Sequence, residues 1–255
     1  MSILKRAFPR TYLQLKKAAG HLYLNEVEQL TLERCQARVI DGPFKGMRYI
    51  SEANCSALAP KLLGTYEKEL HGFIAEIIAR KYPNVIDIGS AEGYYAAGLG
   101  LTMPDCKVHA FDIDPAARKN SAKLYALNGL DHVITIHGEC SFKTLDSFGG
   151  HSCIVICDIE GAELQLLDPS AAPSLRGFDI LVEIHDGAHS TVIHNAMVER
   201  FSSTHDLTFA KYAGRDASDA THAPWLGHAR NKAMAVDEQR TFGIEWGFFK
   251  VKTNP

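Results

Sequence analysis

Two short apolar runs end in groups of acids and a histidine. Cys153 to Cys157 runs into Asp158 and Glu160, and Leu181 to Ile184 carries Glu183 and leads into His185 and Asp186. An imidazole near carboxylates can work as a general base. Two carboxylates and one imidazole can also bind a divalent cation such as Mg²⁺, Mn²⁺ or Zn²⁺. Asp158, Glu183 and His185 are the expected set for either task, because residues i and i+2 of a strand share a side while Ile184 points away. A polar cluster that only orders a loop uses the same residue types, so all three readings stand at this point. His189 and His194 follow on an expected helix and are assigned to its solvent face.

A second constellation precedes the first. Val85-Ile86-Asp87-Ile88 is a short apolar run that breaks at Gly89-Ser90-Ala91-Glu92-Gly93. Glycines at both ends of this loop permit a sharp turn and a close backbone approach to a ligand. The helix N-terminus expected after it offers free N–H groups and the positive end of a dipole, which suits a carboxylate. The next apolar run ends in Asp112, whose carboxylate can accept both hydroxyls of a ribose, with Ile113 beside it to pack on an adenine. The third run ends in Gly138-Glu139, within reach of an adenine amino group. A dinucleotide site would need GxGxxG. Ala91 and Tyr94 stand where its second and third glycines belong, and their side chains crowd the place of a pyrophosphate.

The elements that must position these residues alternate. Strands are expected at Val85 to Ile88, Val108 to Phe111, Val133 to His137, Cys153 to Cys157 and Leu181 to Ile184. Helices are expected between them, at about Glu92 to Leu101, from Pro115, at Ala162 to Leu167 and at Ser190 to Phe201. Strand–helix alternation predicts an α/β fold, a doubly wound and mostly parallel sheet covered on both faces. Its ligand lies beyond the carboxyl ends of the strands, where strand order reverses. Before this block the sequence predicts a helical stretch to about Arg34, a hairpin over Ala37 to Tyr49 about Asp41-Gly42-Pro43, and a helix from a Thr65 cap to Lys81. After it, Leu207 to Tyr212 and Trp246 to Val251 read as strands. The organisation expected is thus a helical and hairpin extension over residues 1–64 and a cofactor-binding domain over 65–255. The polar stretch at about 214–244 is read as an insertion forming a substrate-side lid, with His222, Trp225, His228, Arg230 and Arg240 as acceptor-pocket candidates.

From about Thr65 to Leu207 the sequence resembles a known superfamily. Val85-Ile86-Asp87-Ile88-Gly89-Ser90-Ala91-Glu92-Gly93 is similar to motif I of class I methyltransferases that use S-adenosylmethionine (SAM). Ala110-Phe111-Asp112-Ile113-Asp114-Pro115 looks like their ribose-binding segment, and Cys157-Asp158-Ile159-Glu160-Gly161-Ala162-Glu163 resembles the "DvEGaE" segment of the FkbM-like group, many of which methylate hydroxyls. The resemblance implies a Rossmann-like methyltransferase fold and SAM as cofactor. Glu67 and Asp87 would lie near its methionine end, and Gly89, Ser90, Ala91, Glu92, Gly93, Asp112, Ile113, Glu139 and Asp158 would contact the rest. The acceptor hydroxyl, on a small or sugar-like molecule, would have to sit about 3–3.5 Å from the methyl carbon and lose its proton. Asp158, Glu183 and His185 are then the catalytic candidates. A metal-dependent variant using the same three residues and a non-catalytic SAM-binding scaffold are the alternatives. An NAD-dependent oxidoreductase ranks last.

Bulk properties narrow the partners. The formal net charge of −3 gives no field to draw in a polyanion, so nucleic acid is not the expected partner. The six cysteines form no CxxC pair, which fits a reduced, cytoplasmic setting, with Cys153 and Cys157 as small buried hydrophobes. No run is long and apolar enough to span a membrane, and no stable membrane association is expected. The apolar face of Ile3, Leu4, Phe8, Tyr12 and Leu15 suits a homodimer contact.

Overall fold

The computed structural model describes residues 26–53, 57–187, 190–240 and 244–253. The apolar face at Ile3 to Leu15, Cys55 and His189 lie outside these residues. One seven-stranded sheet organises the chain, with β1 Asn84–Ile88, β2 Lys107–Phe111, β3 Ile134–His137, β4 Cys153–Cys157, β5 Asp179–Ile184, β6 His205–Lys211 and β7 Glu245–Val251. The strand order is β3-β2-β1-β4-β5-β7-β6. The first five strands pair in parallel, and β7 enters antiparallel to both β5 and β6. Order reverses between β1 and β4, so a crevice must open beyond their carboxyl ends.

Strand alternation sorts the core into two faces. Val85, Val108, Ile154, Ile156 and Leu181 belong to one cluster, while Ile86, Ile88, Val155, Ile180 and Val182 belong to the other. Helices cover both: α1 Leu58–Leu63, α2 His71–Arg80, α3 Tyr94–Thr102, α4 Pro115–Leu127, α5 Phe142–Asp146, α6 Glu163–Leu166, α7 Val192–Phe201 and α8 Ala229–Val236. Asp114 caps α4 by accepting from the Ala116 N–H at 2.9 Å, with Pro115 in the first turn. Cys153 and Cys157 are buried free thiols. Among the described residues no helix is long and apolar enough to cross a membrane.

Several expected elements change form. Residues 26–34 are helical, but the hairpin over Ala37 to Tyr49 reduces to turns closed by one bridge between Arg38 and Arg48. Thr65 caps no helix. Glu67 takes a left-handed conformation (φ +46°), which breaks the segment, and α2 begins only at His71. Gly93, at φ +96°, likewise delays α3 to Tyr94. The 214–240 stretch is not irregular. It folds into two short 3₁₀ turns and α8, and buries Ala220, Ala223, Leu226, Ala235 and Val236 in the same core cluster as Val39, Phe44 and Leu62 of the N-terminal segment.

Candidate active site

A cleft of about 1690 Å³ opens at the carboxyl ends of β1 to β5. Strand register decides what lines it. Ile88 pairs with Cys157, so Gly89 and Asp158 follow side by side, and Cys157 pairs with Val182, which sets Asp158 beside Glu183.

The glycine loop forms the nucleoside side. A Cβ on Gly89 would stand 1.7 Å from the Asp158 carbonyl oxygen, and one on Gly93 would stand 2.4 Å from the Tyr125 hydroxyl. Both glycines are therefore demanded by protein neighbours, in addition to any ligand. Asp112 holds the loop in place: Oδ2 accepts from the Ala91 N–H and Oδ1 from the Asp114 N–H, each at 2.8 Å. Each carboxylate oxygen keeps a further lone pair for a ligand hydroxyl. Ile113 is 78% exposed beside the cleft, an unusual state for an isoleucine and a ready apolar platform. Ser90 lines the wall, and Glu139 stands exposed at the rim after β3.

Glu92 lines the cleft and is anchored from behind. Its carboxylate is fully buried, accepts from the Tyr49 hydroxyl at 2.6 Å and pairs with Lys61. It ties the N-terminal turn and α1 to the loop. A carboxylate so engaged supports the wall of the cleft.

Asp87 and Glu67 form the deeper end. Asp87 is buried, and its Oδ2 accepts no hydrogen bond. Burial pushes its pKa up to about 7, against a backbone N–H from Ala96, and the charges of Asp158 and Asp112 add to the rise. Glu67 accepts from the Tyr95 hydroxyl and from Arg240, whose guanidinium also donates to Glu183 at 2.5 Å and to the Tyr66 hydroxyl at 2.9 Å. Burial raises the Glu67 pKa, and the Arg240 charge opposes the rise.

The far wall carries the histidine. The segment from Asp158 to Glu163 curls around the Glu163 carboxylate, with Glu160 at φ +55° and Gly161 at φ +102°. Glu163 Oε1 accepts from the Ile159 and Gly161 N–H groups at 3.2 and 3.1 Å and meets His185 Nδ1 at 2.8 Å. Burial would raise the Glu163 pKa, but the His185 and backbone hydrogen bonds bring it below the ordinary value. Burial likewise pulls His185 down, and the Glu163 hydrogen bond with the surrounding carboxylates lifts it above the ordinary value. Glu183 is pushed up to about 10, by burial first and then by Asp158 and Glu67.

The remaining candidates separate. Asp186 caps the start of α7, accepting from the Ile193 and His194 N–H groups at 2.9 Å. His194 is not on a solvent face: its Nδ1 meets Glu245 at 2.6 Å and its ring lies 4.6 Å from Phe209. Among the described residues of the insertion, Glu238 to Arg240 and Ile244 reach the cleft. His222 bonds the Leu63 carbonyl at 2.9 Å, and Trp225 packs against the core. Arg215 further fastens this segment to the Thr65 carbonyl and to Glu69 ahead of α2, and pairs within the segment with Glu238. Glu163, Tyr66 and Tyr95 have no assigned role at the level of sequence. For Glu163 the signal was present in the glycine-containing turn five residues after Asp158, where a second carboxylate can fold back.

No protein-family model matches the chain. Over 107 residues it is 32% identical to the release factor glutamine methyltransferase of Deinococcus radiodurans, a stretch covering 40% of this chain and 37% of that protein. The chain thus spans little more than a third of that relative's length. Among solved structures, a human methyltransferase 10 domain containing protein superposes with a TM-score of 0.51 at 14% identity, over 89% of this chain and 97% of that one. The O-methyltransferase from Bacillus cereus in complex with SAH gives 0.48 at 11% identity, over 89% and 90% of the two chains. The fold is the Rossmann-like methyltransferase fold.

Proposed function

We propose that the chain is a SAM-dependent methyltransferase that methylates a hydroxyl of a small or sugar-like acceptor. The observation that carries this reading is one continuous cleft with two differently built walls. On one wall the Asp112 carboxylate is locked to the glycine loop beside exposed Ile113, an arrangement suited to a ribose and its adenine. On the other, Asp158, Glu183 and the Glu163-seated His185 converge. The orphan oxygen of Asp87 between them suits the ammonium of a methionine moiety.

Bound in this cleft, SAM would supply an electrophilic methyl group for the acceptor oxygen, with its sulfur released as the neutral thioether product. The hydroxyl proton departs toward the His185 corner. The cleft walls hold both partners in line, which supplies most of the rate advantage of a displacement of this kind. The likeness of Asp158 to Glu163 to the FkbM-like segment supports the hydroxyl as acceptor group and belongs to the same proposal.

Calorimetric titration with SAM and with its demethylated product tests it. Binding of both by the wild-type chain, lost in Asp112→Ala, is the expected result. Absence of binding, or equal binding by the variant, refutes the cofactor assignment.

A further inference from the structure

At the ends of β4 and β5 the spacing of side chains is that of a ligand sphere. Glu163 is fully buried, and its Oε1 lies 2.8 Å from His185 Nδ1, so the ring proton sits on Nδ1 and Nε2 presents its lone pair. A carboxylate that fixes the outer nitrogen of an imidazole in this way is the usual support of a metal-bound histidine. Nε2 faces Asp158 Oδ1 and Glu160 Oε2 at 3.5 Å each and Glu183 Oε2 at 3.8 Å. These separations exceed good hydrogen-bond lengths. They are near those of two atoms bound to one ion at about 2.1 Å, which stand about 3.0 Å apart at a right angle and about 3.4 Å apart at the tetrahedral angle.

Two further observations point to a cation at this spot. Asp158 Oδ1 is shielded from solvent and accepts from no N–H group, and the Asp158 carboxylate faces the Glu183 carboxyl, a contact between two acids that needs a shared proton or a cation. Arg240 engages Glu183 through Oε1, which leaves Oε2, the oxygen on the histidine side, turned toward Asp158 and His185. The ligand atoms of Asp158, Glu183 and His185 all lie within 4.8 Å of one another.

We propose that Asp158, Glu183 and His185 hold a divalent cation, with the exposed Glu160 closing on it as a fourth ligand. One imidazole with carboxylates suits Mn²⁺ or Zn²⁺ better than Ca²⁺, which takes oxygen ligands alone. Sites for water or for an acceptor hydroxyl complete the sphere. The cation's use in catalysis rests on the function proposed above, since it would orient an acceptor hydroxyl and ease the loss of its proton. Its binding does not.

The test is Mn²⁺ titration of the chelator-stripped full chain, followed by the electron paramagnetic resonance signal of free Mn²⁺, with Zn²⁺ in competition. One Mn²⁺ per chain is expected, displaced by Zn²⁺. Affinity should fall at least tenfold in His185→Ala and in Asp158→Asn, and about tenfold in Glu163→Gln, which keeps the shape but weakens the hold on the ring. Each variant is first shown to unfold thermally near the wild-type temperature. Should His185→Ala fail to fold, Glu160→Gln and Glu163→Gln carry the comparison. No Mn²⁺ or Zn²⁺ bound by the wild type, or equal affinity in the folded variants, overturns the proposal. SAM titration of the same samples separates the two readings. SAM bound without metal removes the cation alone, and metal bound without SAM removes the methyltransferase assignment alone.

Discussion

Asp87→Asn isolates the electrostatic cost stored at the deep end of the cleft. The carboxylate is buried, one oxygen lacks a partner, and its pKa stands at about 7 against an ordinary 3.8. That gap corresponds to roughly 4 kcal/mol between the ionised and neutral forms. The sign follows from linkage. Between the two values the folded chain holds a proton that the unfolded chain has lost, so stability declines as pH rises from about 4 to about 7 and then levels off. Asparagine removes the charge and keeps the shape, but its amide N–H₂ needs a partner, which offsets about 1–3 kcal/mol. The variant without ligand should therefore be about 1–3 kcal/mol more stable than wild type at about pH 8.5, and equal or slightly less stable at about pH 5. Urea unfolding of both proteins at the two pH values reads this directly. SAM affinity should rise with pH through about 7 in the wild type, as Asp87 ionises to meet the cofactor's ammonium, and be flat and weaker in the variant. A stability difference that does not change with pH would refute the argument that ionised Asp87 is an unrelieved buried charge.

Other substitutions probe the framework around the cleft. Lys61→Met leaves the Glu92 carboxylate buried without its cation and should cost about 3–5 kcal/mol. Adding Glu92→Gln should restore more than half of that loss in urea unfolding, and a single-variant cost below about 1 kcal/mol would show the pair to be unimportant. Ala91 sits at φ +49°, so Ala91→Gly should stabilise the chain by about 1 kcal/mol while leaving SAM affinity within about twofold, and a loss of stability would contradict the strain assigned to this position. Gly89→Ala must drive a methyl into the Asp158 carbonyl, and a variant that still unfolds at the wild-type temperature would disprove the close approach of β1 and β4.

Much of this molecule was legible from local pattern. The apolar runs at Val85, Val108, Cys153 and Leu181 are short and continuous because strands buried on both faces have no polar side to show, and the structure places strands at all four. Asp112 and Asp158 were identifiable because a strand end in a parallel sheet faces the crevice by topology alone. The helix from Thr65 and the hairpin over Ala37 to Tyr49 failed for the opposite reason. The helix start depends on the left-handed turn at Glu67, which is held by contacts with Tyr95, Glu238 and Arg240, the last two more than 170 residues away, and the Ala37 to Tyr49 segment bonds out of its own pairing, from Ile40 to the Leu62 carbonyl and from Arg48 to Asn128.

The sequence by itself determined the alternation of strands and helices, the cleft at their carboxyl ends and the side chains available there, since period and strand order follow from the backbone. Tertiary structure alone decided how those side chains are used. Glu92 is held at the cleft wall because Lys61 and Tyr49 meet it from other elements. Glu163 became the seat of His185 because the turn at Gly161 folds it back. The insertion is tied along the cleft because its arginines reach Glu67, Glu69 and Glu183. Pairing of charges across such distances depends on where the packed backbone sets them down, and no local spacing records it.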